Sequence, residues 1–394
     1  MYSIIQDTYY VGVNERIYKK FESIWPIPEG ISYNSYLIID DKVALIDACE
    51  QNLRGPYLQH IHNILGEKPI DYLIVNHMEP DHSGALTDIC MNYPKVEIIG
   101  NYKTLEMIKG FYGLKCRTHV INDGEMLSLG KHQLRFYLTP MVHWPETMMT
   151  YDELTQALFS GDAFGCFGAL NGAIIDKDMC LDIYWSEMRR YYASIIGKYG
   201  APVQAAIKKL TGLPISLICS THGPVWKEEI LRVVNYYDLY SQYKADSGVV
   251  IAYGSMYGNT AAIAEEIACK LAETGIKNIK LFNVEVTDIS YILSAIFEYN
   301  SLILGSAAYN GELMPNIQTL MWAIHSRGIK NRYYGCFGTY AWGEAPLNKL
   351  TDFGNEMGWE TIYPKISQKY KLQTESIPDF QRMAKMFAEK MLGS

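Results

Sequence analysis

His77-Met78-Glu79-Pro80-Asp81-His82 sets four potential metal ligands within six residues, just after the apolar run Tyr72-Leu73-Ile74-Val75. Imidazole and carboxylate donors suit iron, zinc and manganese, and a cluster this dense has enough donors for two ions rather than one. A charged turn after a strand is the competing reading. Partners elsewhere in the chain decide between the two.

Upstream, residues 9–13, 32–39 and 42–47 read as short strands, with Asp40-Asp41 as the hairpin turn between the last two. A helical stretch over 57–65 leads into a strand over 70–75. The hexapeptide therefore leaves a strand's C-terminal end, where a departing loop aims side chains into a cleft. Downstream come a strand over 95–99, a helix over 103–110 and hairpin strands over 126–129 and 133–138, the last leading to His143. Apolar runs over 157–160 and 216–220 lead to Asp162 and His222. Each of these three alone would read as a core or turn residue. Four strand ends bearing His or Asp in one domain point instead to a shared metal site. His60, His62, His119, His132 and His325 fall outside the pattern.

At 394 residues the chain exceeds the size at which one core keeps growing, so two domains are expected. With 48% hydrophobic and 20% charged residues the composition is that of a globular protein. A formal net charge of −8 argues against a phosphate-backbone partner, so no nucleic acid is expected. The N-terminus lacks the pattern of a signal peptide, and no apolar run is long enough to span a bilayer, so a cytoplasmic protein without a membrane partner is expected. The eight cysteines are scattered singly, without the paired spacing of a zinc ribbon or iron–sulfur site, and read as small buried hydrophobes.

The hexapeptide with His143, Asp162 and His222, in that order, resembles the metallo-β-lactamase fold, an αββα sandwich with a binuclear site, over roughly residues 1–246. The zinc hydrolases of that fold carry His-x-His-x-Asp-His, whereas Glu79 stands here in place of the second His. A carboxylate makes the site harder and more anionic, which favours iron. The pattern is similar to that of the flavodiiron proteins. That resemblance implies His77, Glu79 and His143 on one iron, Asp81, His82 and His222 on the other, and Asp162 bridging; all seven are then the catalytic and metal residues. Tyr192 is the candidate for a supporting hydrogen bond or proton. One departure from many relatives is the segment Phe21-Glu22-Ser23-Ile24-Trp25-Pro26-Ile27-Pro28, which holds no histidine.

After a polar break over 241–248, Val249 to Gly254 reads as a fully buried parallel strand. The loop Ser255-Met256-Tyr257-Gly258-Asn259-Thr260 follows, and a helix over 261–273 starts at once. Backbone N–H groups and the positive helix end converge in such a loop, which suits a phosphate. Neither a Walker ending nor Gly-x-Gly-x-x-Gly is present, so a monophosphate fits better than a nucleoside triphosphate or dinucleotide. Two further strands end in Ser306, Ala307, Ala308, Tyr309, Asn310 and Gly311, and in Thr339, Tyr340, Ala341, Trp342 and Gly343. Tyr309, Tyr340 and Trp342 are candidates to flank a flat ring. Five βα units over 248–394 resemble flavodoxin, a doubly wound parallel sheet that binds FMN.

Together the two halves resemble the flavodiiron architecture, with FMN and two non-haem irons as cofactors. The implied reaction is reduction of O2 to water or of NO to N2O. Because the chain ends at Ser394 without a fused rubredoxin or flavin reductase domain, the donor is expected to be separate: a rubredoxin-type protein, a flavin reductase or a reduced deazaflavin. The resemblance also implies a head-to-tail homodimer or a dimer of dimers. Rival readings are a binuclear zinc hydrolase, a non-catalytic diiron gas sensor, and an electron shuttle with a vestigial first half.

Overall fold

Two compact units, one ending at Ser241 and the other beginning at Gln242, make up the computed structural model, which describes residues 2–393. The sequence break was expected a few residues later. Residues 242–246 go with the second unit for two reasons. The Tyr243 hydroxyl donates to Arg327 O, while buried Arg332 donates through Nη1 to Tyr243 O at 2.8 Å. The strand Asp246–Gly254 also starts before the apolar run does.

Among its described residues the first unit holds two small two-stranded sheets, Val13–Glu15 with Ile31–Tyr33 and Lys20–Phe21 with Trp25–Pro26, and two large ones. One runs, in spatial order, Tyr2–Ile5, Thr8–Tyr10, Tyr36–Ile39, Val43–Ile46, Tyr72–Ile74, Glu97–Gly100 and Arg117–Val120. The other runs Met126–Ser128, Gln133–Leu138, Met148–Asp152, Ala157–Gly161 and Leu217–Ser220. The sheets meet through contacts such as Tyr36 on Phe159, with ring centroids 5.3 Å apart, and Tyr36 OH to Ser220 O at 2.6 Å. The expected strand over 32–39 is in fact two strands, Ile31–Tyr33 and Tyr36–Ile39, in different sheets. Asn34 breaks it, because its side chain donates to Ser220 O and Gly223 O and its backbone N–H to Thr221 O. Met148–Asp152, buried along its whole length, was not expected; nor was Arg117–Val120, which is exposed throughout and carries no burial pattern.

In the second unit, parallel strands run in the order Ile279–Asn283, Asp246–Gly254, Tyr299–Tyr309 and Tyr333–Tyr340, and the last pairs with Glu360–Thr361 and Ile366–Lys369. In chain order this is 2-1-3-4-5, the flavodoxin-like doubly wound arrangement. Val249, Ile251, Ile303 and Phe337 pack with Ile263, Ile267 and Leu271 of the helix Asn259–Glu273. The order reverses between the first and third strands, and that is where a ligand crevice forms.

Candidate functional site

The seven predicted ligand residues converge into one buried cluster. The strand Tyr72–Ile74 lies beside Val43–Ile46, whose end carries Asp47. The buried Asp47 carboxylate accepts from Asn76 N at 2.7 Å and Asn76 Nδ2 at 3.0 Å, which fixes the chain as it leaves the strand towards His77. Pro80 then opens a short helix, Pro80–Ser83, on which Asp81 and His82 ride. Proline is suited to a first helical turn, where its missing N–H costs nothing.

Two groups of donor atoms result: His77, Glu79, His143 and Asp162, and Asp81, His82 and His222. Asp162 serves both. Its Oδ2 lies 3.6 Å from His77 Nε2 and 3.1 Å from His143 Nε2, while its Oδ1 lies 3.0 Å from His82 Nε2 and 3.7 Å from His222 Nε2. Glu79 Oε2 closes the first group, 3.3 Å from His77 Nε2 and 3.1 Å from His143 Nε2. Asp81 Oδ2 closes the second, 3.1 Å from His82 Nε2 and 3.3 Å from His222 Nε2.

These residues fit a pair of cations. The Nε2 atoms of His82 and His222 face each other at 3.1 Å, and both oxygens of Asp81 are buried without a well-formed hydrogen bond. Buried lone pairs in that state are costly unless a cation sits between them. The charges of the metal-free cluster agree. Burial works against ionisation of Asp162, but His82 and His77 hold its carboxyl well below the usual range. Burial likewise disfavours imidazolium, yet Asp162 and Glu79 raise His143 to about 9, and Asp81 and Asp162 raise His82 to about 10. Protons occupy places that a metal would take.

Several supporting residues carried no signal in the ligand pattern. Glu146 Oε1 accepts from His77 Nδ1 at 2.8 Å and from Met78 N at 2.9 Å. The carbonyl of Ser32 accepts from His222 Nδ1 at 2.7 Å, and Thr221 Oγ1 donates to Asp162 Oδ1 at 2.6 Å. Such partners fix the ring tautomer so that Nε2 points to a metal. Glu146 lies three residues beyond His143, and an acidic residue so near a ligand is the only hint the sequence offered; its burial and its partner His77 come from the fold. Gly223 is required beside His222: its φ is +76°, and a Cβ there would sit 2.2 Å from Cys166 Sγ.

Phe21 packs edge-on against His222 at 5.5 Å, and Tyr33 at 5.8 Å. The segment without a histidine contributes Glu22, whose carboxyl lies beside Glu79; burial of that end and the neighbouring Glu79 charge push it up to about 8. Tyr191, rather than the expected Tyr192, reaches the cluster, with its ring 5.4 Å from His222 and its hydroxyl buried without a partner. Tyr192 turns away onto Tyr237 and Tyr240 because a π-helical turn, Tyr192–Ile196, begins there.

In the second unit a cleft of about 390 Å³ opens at the strand ends. Ser255, Met256, Tyr257, Asn259, Thr260, Ala307, Asn310, Gly311, Thr339, Tyr340, Ala341, Trp342 and Gly343 line it, all expected, together with Ala308, Pro346 and Tyr370, which were not expected to. Three expected contacts do not form its wall. Gly258 instead caps the helix Asn259–Glu273 with φ +88°; Ser306 Oγ accepts from Met314 N; and Tyr309 lies at the strand end outside the cleft. The cleft fits a flavin monophosphate. Gly258 brings no side-chain cap; Ser255 Oγ accepts from Gly258 N and Ala261 N, and the other first-turn N–H groups face the loop where a phosphate would sit, while Trp342 and Tyr257 stand 94% and 89% exposed at the rim.

Residues 31–223 match the ODP family beta lactamase domain, and residues 251–376 match flavodoxin. An uncharacterized protein of Methanocaldococcus jannaschii is 32% identical over 355 residues, 90% of this chain and 89% of that one. The anaerobic nitric oxide reductase flavorubredoxin of Escherichia coli is 31% identical over 339 residues, 84% of this chain and 70% of that one. Among solved structures, rubredoxin oxygen:oxidoreductase of Desulfovibrio gigas superposes with a TM-score of 0.95 at 27% identity, covering 99% of this chain and 98% of that one. The chain belongs to the flavodiiron protein family, oxidoreductases whose cofactors are FMN and a non-haem diiron pair.

Proposed function

We propose that this protein reduces a diatomic gas, O2 to water and/or NO to N2O, at the buried His/Asp/Glu cluster. The observation that carries the reading is Asp162, one carboxylate whose two oxygens face two separate donor groups, in a chain that also holds a flavin cleft. Both gases appear in the names of relatives of this chain.

When bound, the iron pair supplies gas binding and electron donation, and FMN supplies electron storage. His77, Glu79 and His143 would hold one ion and Asp81, His82 and His222 the other, with the two Asp162 oxygens available one to each group. Glu146 and the Ser32 carbonyl keep the Nδ1 protons of His77 and His222, so their Nε2 lone pairs stay inward. Phe21, Tyr33 and Trp144 pack edge-on against the imidazoles and exclude bulk water. The Tyr191 hydroxyl, buried beside His222 without a partner, is a phenol able to donate a hydrogen bond to a small ligand. In the second unit, Ser255 to Thr260 take the phosphate, and Tyr340 and Trp342 flank the ring. Electrons come from a rubredoxin-type protein, a flavin reductase or a reduced deazaflavin. The working unit is a head-to-tail homodimer or a dimer of dimers in the cytoplasm; among the described residues no helix is long and apolar enough to cross a membrane.

The test is parallel O2 and NO consumption under anaerobic control, with a donor that reduces the flavin quickly. Many turnovers support the proposal. One equivalent per chain makes the protein a sensor, and two zinc ions in colourless protein make it a hydrolase.

A further inference from the structure

Resting on the gas-reductase reading, we propose a further function for the first unit: a tyrosine relay that carries oxidising equivalents from the metal cluster to the surface. Tyr191 joins the chain through its sequence neighbour Tyr192 and through the electrostatic influence of Tyr237 on its hydroxyl, and from Tyr192 outward the rings are in contact at each step. Tyr191 lies 5.4 Å from His222 and is followed by Tyr192, whose ring is 5.1 Å from Tyr237 and 5.3 Å from Tyr240. The Tyr237 hydroxyl donates to Gly165 O at 3.2 Å, three residues past Asp162. Tyr240 stacks on Tyr236 at 5.7 Å and 8° between planes, and Tyr236 meets Trp185 edge-on at 5.8 Å. Tyr191, Tyr192 and Tyr237 are fully buried, whereas Tyr236 and Trp185 are half-buried.

Core filling alone does not account for this choice of residue. Phenylalanine fills the same volume without a hydroxyl that must be satisfied on burial. The Tyr191 hydroxyl is left buried without a partner, a cost that a phenylalanine would avoid. Phe21 lies against His222, and Phe167 packs on Phe21 and Tyr191; neither oxidises at accessible potentials. Tyr33 and Trp144 are oxidisable rings against the imidazoles as well, but it is Tyr191 that is followed by a run of phenols in ring contact, Tyr192, Tyr237, Tyr240 and Tyr236, which leads outward. At its end the Arg232 guanidinium stands 4.0 Å over Trp185 and 5.5 Å over Tyr236, which disfavours a cationic tryptophan and leaves a neutral tyrosyl at Tyr236 as the terminus.

The step balances. A gas molecule left one electron short takes one electron and one proton from the nearest phenol, Tyr–OH → Tyr–O• + e− + H+, and both end in product water. Neighbouring phenols pass the vacancy on, Tyr–O• + Tyr′–OH → Tyr–OH + Tyr′–O•. A small-molecule thiol returns a hydrogen atom to Tyr236, Tyr–O• + RSH → Tyr–OH + RS•, and two thiyl radicals from two such events pair as one disulfide, 2 RS• → RSSR.

The experiment exposes holoprotein, reduced with fewer electrons than the gas requires, to O2 and freezes it within a turnover. Protein grown on ring-deuterated tyrosine separates a tyrosyl EPR signal, which narrows, from a flavin-centred one, which does not. A deuterium-sensitive signal is expected. In Tyr240→Phe, oxidised products found by peptide mass mapping should move from Tyr236 to Tyr191 and Tyr192, and inactivation under scarce donor should run several-fold faster while the initial rate with ample donor is unchanged. A second arm starts from outside, with a ruthenium photo-oxidant and persulfate acting on the same holoprotein, and should mark Tyr192 and Tyr237 in the wild type but not in Tyr240→Phe. If neither gas is consumed yet the Tyr240-dependent marking persists, the gas reading fails and the relay stands. If gas is consumed and neither arm depends on Tyr240, or no signal responds to deuterium, the relay is overturned.

Discussion

Glu146 offers the sharpest perturbation of the metal cluster, because it touches no proposed metal position yet orients one ligand. Its Oε1 takes hydrogen bonds from His77 Nδ1 and Met78 N, and its carboxyl is itself held below the usual carboxylate range: burial opposes ionisation, and His77 overcomes it. Glu146→Gln keeps an oxygen in place and loses the charge. Charge-assisted hydrogen bonds are about twice as strong as neutral ones, so the change removes about 1 kcal/mol of ligand orientation, roughly fivefold in metal affinity. Glu146→Ala leaves the His77 ring N–H and the Met78 N–H buried without an acceptor, at about 1–3 kcal/mol each, and metal affinity should fall about 10- to 100-fold. The assay is ferrous titration of metal-free protein against a chromophoric chelator, with thermal melting as the folding control. One of the two ions should weaken, since Asp81, His82 and His222 make no contact with Glu146 in the hydrogen-bond network around His77. Equal loss of both ions, or no change in the alanine variant, would refute the reasoning.

Further outcomes follow from the same geometry. Asp162→Asn should lower the metal content below two per chain and abolish magnetic coupling between the ions, read by metal analysis and EPR. Metal binding should strengthen with rising pH, because His143 near 9 and His82 near 10 hold protons at neutrality that each metal displaces; pH-dependent chelator competition checks this. The stability sign for the metal-free protein is the opposite: both pKa values are raised, so their contribution is full below about 6.5 and fades as pH climbs towards 9 and 10, visible as a falling melting temperature. Trp342→Ala should weaken FMN binding by about 0.5–1.5 kcal/mol, roughly two- to tenfold, measured by recovery of flavin fluorescence. Ile251→Ala, in the core of the second unit, should cost about 2–5 kcal/mol in urea unfolding followed in that unit.

What sequence alone determined about this protein is what local chemistry dictates. The donors of the hexapeptide, the apolar runs preceding Asp162 and His222, and the strand–loop–helix with Ser255 to Thr260 are each contained in a short stretch of chain. They therefore showed the ligand types, the parallel flavodoxin-like sheet and most of the cleft wall. Residues whose roles come from a distant part of the chain stayed hidden. Nothing near Glu146 says that it will meet His77, 69 residues away, and nothing near Ser32 says that its carbonyl will hold His222, 190 residues away. Tyr191 and Tyr192 are indistinguishable in sequence; a π-helical turn aims one at the metal cluster and the other at Tyr237 and Tyr240. Tyr309 and Trp342 are equally good ring contacts by sequence; the fold puts Trp342 in the cleft wall and leaves Tyr309, at the end of its strand, out of it. Above all, the division of the two Asp162 oxygens between two donor groups was decided by tertiary structure, because a carboxylate's direction is set by the sheets that pack around it, and those sheets join residues far apart along the chain.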